Sequence, residues 1–456
     1  MTVSRGKRVL IIVENLPSPF DRRVWQEALA LRANGYKVSI ICPKGRGFDA
    51  AYECLEGIHI YRHPLPVEAD GALGYAAEYG VSLLMELWLA LRIAVTRGFD
   101  VIQACNPPDT IFLIALFFKL FGKRFIFDHH DINPELYEAK FARRDFFYRV
   151  LRQLERWTFR SADVSIATNE SYRQIAIERG GMLPSKVFVV RSGPDLSRIQ
   201  LQPPRPALRR GRPYLVGYLG VIGKQEGLDL LLESIAYMRR VRGRNDVQFA
   251  IVGDGTELPA VKNMSRRLEL DDCIEFFGRV PDRELWEILG TADVCVNPDR
   301  ANEMNDKSTM NKIIEYMALG KPIVQFDLTE GRFSAAGASL YARPNDTQDF
   351  GDKLCELLDD AALRESLGKA GRARVEAELA WHHQVPQLLA AYATALKTGS
   401  DISDRSMSGR AALSSANGNS RRDQETETHF LSGVQSARVA EDSVGGKDAS
   451  RADRPI

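Results

Sequence analysis

The feature that most constrains this chain is a repeated order of short apolar runs and helical segments. Residues 9–13 (VLIIV) form a strand-length apolar run. A loop with Pro17 and Pro19 follows, and from about Asp21 Val24, Ala28 and Leu31 recur at helical spacing until Gly35, before another apolar run at 38–42. Runs at 100–103, 125–127, 163–167 and 186–190 continue the alternation. Apolar strands separated by helices predict a doubly wound α/β sheet, covered on both faces.

The alternation breaks at 203–213, PPRPALRRGRP. Its prolines cannot continue a central strand or a helix interior, so the stretch reads as a linker. A second series then runs through 214–219, 247–252, 274–276, 292–296 and 322–324. The expected architecture is two Rossmann-like domains, 1–205 and 206–380, facing a cleft, with the site at the C-terminal edges of the strands. A last helix, 381–397, is expected to pack back on the first domain. Beyond it, 398–456 is rich in Ser, Gly, Asp and Arg without periodicity, and is expected to be disordered.

Composition narrows the partners. The 61 Lys and Arg balance 60 Asp and Glu, so no charge excess points to nucleic acid. The six cysteines are scattered without metal-ligand spacing, which suits a reducing compartment. The run at 9–13 is too short for a signal-peptide core, and the longest apolar stretch, 111–121, is interrupted by Lys119, so neither export nor a membrane span is expected.

The sharpest local signal is 308–322, STMNKIIEYMALGKP. Ser308 or Thr309 is placed to cap a helix whose N-terminus would hold a diphosphate on free N–H groups. Glu315, two turns in, could accept hydrogen bonds from ribose hydroxyls. Gly320 and Pro322 end the helix and launch a strand.

EYMALGKPIV resembles the nucleotide-binding signature of glycosyltransferase family 4, a family of retaining enzymes with the two-Rossmann GT-B fold. The segments FDRRVWQEALALRANGYKVSIICP, FDHHDINPE, YLGVIGKQEGLDLLLESI, FAIVGDGTELPAV and IEFFGRVPDREL extend the resemblance over nearly all of residues 7–397, closest to a subgroup of surface-polysaccharide assembly. The resemblance implies that Glu315 takes the donor ribose and that the Gly278-Arg279-Val280 turn meets the base. It also implies that Gly220, Gly223 and Lys224 lie near the diphosphate, with Lys224 as a point charge on the leaving group. His130 and Asp131 match the family's HD pair near the reacting sugar, with His129 as a lesser candidate. Asp21, Arg22 and Arg23 match a loop near donor phosphate and acceptor; equally, Asp21 is an N-cap and the arginines are solvated.

Two positions depart from the family pattern. Lys307 stands where the acid eight residues before the ribose carboxylate is usual, with Glu303, Asn305 or backbone N–H groups as substitutes. Val221 and Glu226 stand where Arg and Lys are usual. The chain contains no D-x-D pair to hold a divalent ion on a diphosphate, so metal-independent transfer without a cofactor is expected.

The expected function is transfer of a hexosyl-type unit from a UDP- or GDP-linked sugar to a carbohydrate or lipid-linked acceptor. A sugar-nucleotide epimerase and an inactive nucleotide-sugar-binding scaffold are the alternatives. FARRDFFYRVLRQLERWTFR (141–160) reads as a basic amphipathic helix. With FFKLF (117–121) it predicts a cytoplasmic protein with peripheral contact on the inner face of the membrane.

Overall fold

The computed structural model describes residues 6–64, 71–199 and 202–397. The tail expected to be disordered lies outside the described residues. The first series of strands is β1 (Arg8–Val13), β2 (Lys37–Pro43), β3 (Tyr52–Leu55), β4 (Ile58–His63), β5 (Val101–Cys105), β6 (Arg124–His129), β7 (Val164–Ala167) and β8 (Val187–Val189). They form one sheet in the order β3-β4-β2-β1-β5-β6-β7-β8, parallel except for the β3–β4 pair. The second series is β9 (Tyr214–Leu219), β10 (Val247–Val252), β11 (Ile274–Gly278), β12 (Val294–Asn297), β13 (Ile323–Phe326) and β14 (Ser339–Ala342). It makes a parallel sheet ordered β11-β10-β9-β12-β13-β14. The strand order reverses beside β1 and beside β9, the two places where connections leave on opposite faces and open a crevice.

The burial of β1 shows why its sequence is uninterruptedly apolar. Leu10 and Ile12 enter one core with helix Phe112–Lys119, while Val9, Ile11 and Val13 enter another with helix Arg22–Ala33. Both faces of the strand are covered.

The βα reading does not anticipate β3, β4 or β14. The first two pair antiparallel through Glu56 and Gly57, both with left-handed φ (49° and 74°), so this hairpin needs no crossover helix and escapes a search for alternation. The basic amphipathic stretch also differs from expectation. Left-handed Ala142 ends helix Asn133–Phe141, and Asp145 caps a new helix, Phe146–Ser161, accepting from the Phe147 amide at 3.0 Å.

The last helix, Trp381–Leu396, lies against the first sheet. Its Leu388, Ala391, Tyr392 and Ala395 are buried in the core that holds Val9, Ile126 and Ile166, and Tyr392 meets the Tyr36 ring edge-on at 5.7 Å. Leu388→Ala is therefore expected to destabilise the first sheet by about 3 kcal/mol, read as a lowered urea midpoint with the slope unchanged.

Candidate active site

The loops that leave the C-terminal ends of both sheets converge on a cleft of about 1160 Å³. Its first wall comes from residues after β1 (Leu16, Phe20, Arg22, Arg23), after β6 (His130, Asp131) and after β7 (Thr168, Tyr172). Its second wall comes from Gly220 after β9, Gly253 after β10, Arg279 and Val280 after β11, and Asp299 after β12. Gly253 has φ +140°, and a Cβ there would stand 1.8 Å from the Gly220 carbonyl oxygen, so only glycine lets these two loops pack together.

On the first wall a buried guanidinium organises the site. Arg23 Nη2 donates to Asp128 Oδ1 at 2.9 Å and lies 3.1 Å from Glu27 Oε1, and Nη1 donates to the Val190 carbonyl at 2.8 Å. Its Nε lies 3.0 Å from His130 Nε2, which in turn is 2.8 Å from Asp128 Oδ2. Gln103 donates to Asp128 at 2.8 Å and Glu27 at 2.6 Å, and accepts from the Tyr392 hydroxyl. Burial pushes Glu27 up to about 8, helped by Asp128 and opposed by Arg23. Burial alone would raise Asp128 as well, but Arg23 and His130 hold it well below the usual carboxylate range. Burial would lower His130, yet the Asp128 charge and hydrogen bond carry it upward. The result is an imidazole at the cleft surface whose Nε2 is held between the Asp128 carboxylate and the Arg23 guanidinium. Cys105, Asp128 and His130 bring ligand atoms within 4.8 Å of one another, but the guanidinium already donates to Asp128 and reaches His130, and burial keeps the Cys105 thiol protonated. That donor set does not suit a cation.

On the second wall stands helix Asn311–Ala318, whose N-cap is Met310 with no capping side chain. The expected caps are otherwise engaged. Ser308 Oγ donates to the Met304 carbonyl at 2.7 Å and is 3.0 Å from the Tyr172 hydroxyl, while Thr309 Oγ1 accepts from Asn169 at 3.0 Å. Both line the cleft, but as contacts between its walls, and neither caps the helix. Glu315 lines the cleft from the same helix and faces Arg22, whose Nη1 is 3.5 Å from its Oε1 and whose Nη2 is 2.6 Å from Asp282. Burial pushes Glu315 up to about 7, with Arg22 lowering and Asp282 raising it. Arg279 stacks its guanidinium 4.5 Å from the centre of the Phe20 ring.

Several predicted residues take other positions. His129 does not reach the cleft: it is fully buried among Phe127, Phe159 and Tyr172, 3.8 Å from Glu155, and burial together with Arg179 and His130 lowers it to about 3. Strand alternation sends its side chain into the core, away from its neighbour's. Asp21 is an N-cap, accepting from the Val24 amide at 3.1 Å. Gly223 and Lys224 line a smaller pocket of about 440 Å³ with Arg267 and Arg300, not the main cleft. Lys307, in place of the usual acid, pairs with Glu303 at 2.7 Å, and Glu303 also binds Arg144 at 2.8 Å. Of the two substitute side chains only Asn305 lines the cleft, its amide donating to the Gln225 and Arg300 carbonyls. Sequence reasoning missed Glu27, Gln103 and Tyr392, because each meets a partner distant in the chain. It also missed Lys312, which could have been found, because it stands three residues before Glu315 on one helix face.

This geometry fits a group-transfer enzyme of the two-Rossmann class, and comparison with known proteins agrees. Residues 21–198 match the family described as Glycosyltransferase Family 4 and residues 213–360 that described as Glycosyl transferases group 1, together more than two thirds of the chain. The protein belongs to glycosyltransferase family 4 and is a glycosyltransferase. The 2-deoxystreptamine glucosyltransferase of Streptomyces kanamyceticus is 25% identical over 350 residues, covering 74% of this chain and 88% of that relative. Sucrose-phosphate synthase from Thermosynechococcus elongatus superposes with TM-score 0.70 at 17% identity, over 85% of this chain and 98% of its own. Anabaena HepE in complex with UDP-glucose superposes with TM-score 0.65 at 16% identity, over 85% and 99%. These structures share the GT-B fold.

The upward shift of Glu315 has a measurable consequence. Its folded value of about 7 lies above the ordinary 4.5, so its ionisation costs stability above pH 7 and costs nothing below about 4.5. Glu315→Gln is expected to stabilise the ligand-free protein at pH 8 by on the order of 1 kcal/mol, discounted for partial exposure. In thermal melts the gain should fade as pH falls from 7 to 5; a destabilised variant at pH 8 would show that the ionised carboxylate holds the fold together.

Proposed function

We propose that the enzyme transfers a hexosyl-type sugar from a UDP- or GDP-linked donor to a carbohydrate or lipid-linked saccharide acceptor, with retention of configuration and without a metal ion, in surface-polysaccharide assembly. The observation that carries this reading is the pairing, across one cleft, of Glu315 behind an uncapped helix N-terminus with the Asp128–His130–Arg23 network. Glu315 suits ribose hydroxyls, the free helix amides suit a diphosphate, and His130 stands where the sugar and the acceptor hydroxyl would meet. Support for the donor comes from the glucosyltransferase relative and from the UDP-glucose bound in HepE. Support for metal independence comes from the cationic and amide groups that line the cleft.

The reading extends to the cytoplasmic face of a membrane. No helix among the described residues is long and apolar enough to cross one. Helix Phe146–Ser161 exposes Phe146, Phe147 and Trp157 beside exposed Arg149, Arg152, Arg156 and Arg160, and Leu120 and Phe121 are exposed near helix Phe112–Lys119. Large exposed apolar side chains flanked by arginines suit an anionic lipid surface.

The test is a melting-temperature panel of nucleotide sugars followed by transfer assays with the stabilising donor. His130→Ala is expected to lower kcat by roughly 10²–10⁴-fold while nucleotide binding persists. EDTA should leave the rate unchanged, and NMR of the first product should show the donor's anomeric configuration. Donor conversion without acceptor would indicate an epimerase, and donor binding with no turnover a scaffold. In flotation with anionic liposomes the protein should rise with the lipid, and Phe146→Ser with Trp157→Ser should keep it at the bottom of the gradient.

A further inference from the structure

We propose that Lys312 is the cation that meets the donor diphosphate, in place of the two basic positions the Gly220–Gly227 loop has lost. This rests on the nucleotide-sugar reading. In that loop Val221 is exposed, Glu226 brings a carboxylate, and Lys224 lines the separate smaller pocket. Of the cleft's other basic groups, Arg23 is held in its buried network, Arg22 on Glu315 and Asp282, Arg279 over Phe20 and Arg198 on Asp195, while Arg46 is exposed, its guanidinium 5.9 Å from the Phe20 ring centre.

Lys312 is different. It lies in the first turn of helix Asn311–Ala318, where the uncapped amides are, and it lines the main cleft while being only 9% exposed. A Cβ built on Gly220 would lie 2.7 Å from the Tyr218 hydroxyl and 3.4 Å from Lys312 Nζ, so the ammonium stands beside this cleft-lining glycine. Asp299 Oδ1 accepts one of its three donors at 2.7 Å, and the Tyr218 ring centre lies 4.9 Å away. Asp299 is fully buried and its Oδ2 has no hydrogen-bond partner, so the carboxylate fixes the ammonium in place. The cation and the helix N-terminus beside it together form one cradle for phosphate oxygens.

In transfer, the bond from the sugar anomeric carbon to the β-phosphate oxygen breaks and its electron pair stays on the phosphate. The acceptor oxygen bonds to the anomeric carbon and gives its proton to the His130 imidazole, the base of the proposed reaction. Lys312 faces the charge that accumulates on the departing diphosphate.

The experiment is calorimetric titration of the full chain with UDP, GDP, ADP, CDP and TDP and with each monophosphate. Wild type should bind one diphosphate more tightly than its monophosphate. Lys312→Gln should weaken that diphosphate by roughly 10- to 100-fold, the loss of a charge-assisted contact, and change the monophosphate little. Because Lys312→Gln strands Asp299, the isosteric double variant Asp299→Asn with Lys312→Gln is measured beside it, and it should fold yet still lack the diphosphate preference. If the double variant regains wild-type binding, Lys312 serves only to neutralise Asp299 and the proposal falls. It falls equally if Lys312→Gln binds the diphosphate like wild type, or if Lys224→Gln alone erases the preference. If no diphosphate binds wild type, the donor reading itself fails and Lys312 loses its role with it.

Discussion

The burial of one guanidinium, that of Arg23, holds the first wall of the cleft in register. Its three nitrogens reach four residues on three stretches of chain: Glu27 on its own helix, Asp128 and His130 at the end of β6, and the Val190 carbonyl after β8. An arginine is suited to this because its donors are fixed in a planar fork and it never deprotonates. The same burial makes the arrangement exacting, since removing one partner of a buried charged pair costs about 3–5 kcal/mol. The network reaches beyond the site: Gln103 links Asp128 and Glu27 to the Tyr392 hydroxyl, so the last helix, which crosses back from the second half of the chain, is hydrogen-bonded to the groups that orient His130.

The opposite wall uses charge differently. Glu315 is held half-buried, with its carboxyl raised toward neutrality and only an exposed arginine opposite it. Ionising a group kept in that condition costs the ligand-free fold stability. The walls already touch, through Tyr172 to Ser308, Asn169 to Thr309 and Arg22 to Asp282. Side chains that look in sequence like helix caps are spent on closing the cleft.

Much of the fold was legible because hydrophobic periodicity is a local property. Each βα unit could be read from its own twenty or thirty residues, and the Pro- and Arg-rich linker announced the break between the two series. The β3–β4 hairpin escaped because it is antiparallel at a sheet edge, outside the alternation. At the site, His130, Glu315, Gly220 and Arg279 line the cleft, and they were visible in sequence because they follow strand ends or lie on the motif helix. His129 and Lys224 do not line it, although each is one or a few residues from a position that does, because side-chain direction is invisible in sequence.

By itself the sequence determined the alternating βα elements and their order, the family, and the stretches from which a site could be built, because those depend on residue type and spacing along the chain. Only the tertiary structure decided which side chains line the cleft: His130 and not its neighbour His129, Lys312 and not the distant Lys224, Arg22 at the surface and Arg23 beneath it. Those choices depend on where distant strand ends and loops come to rest against one another. An ammonium or imidazole acquires its partners, its burial and its charge state only there.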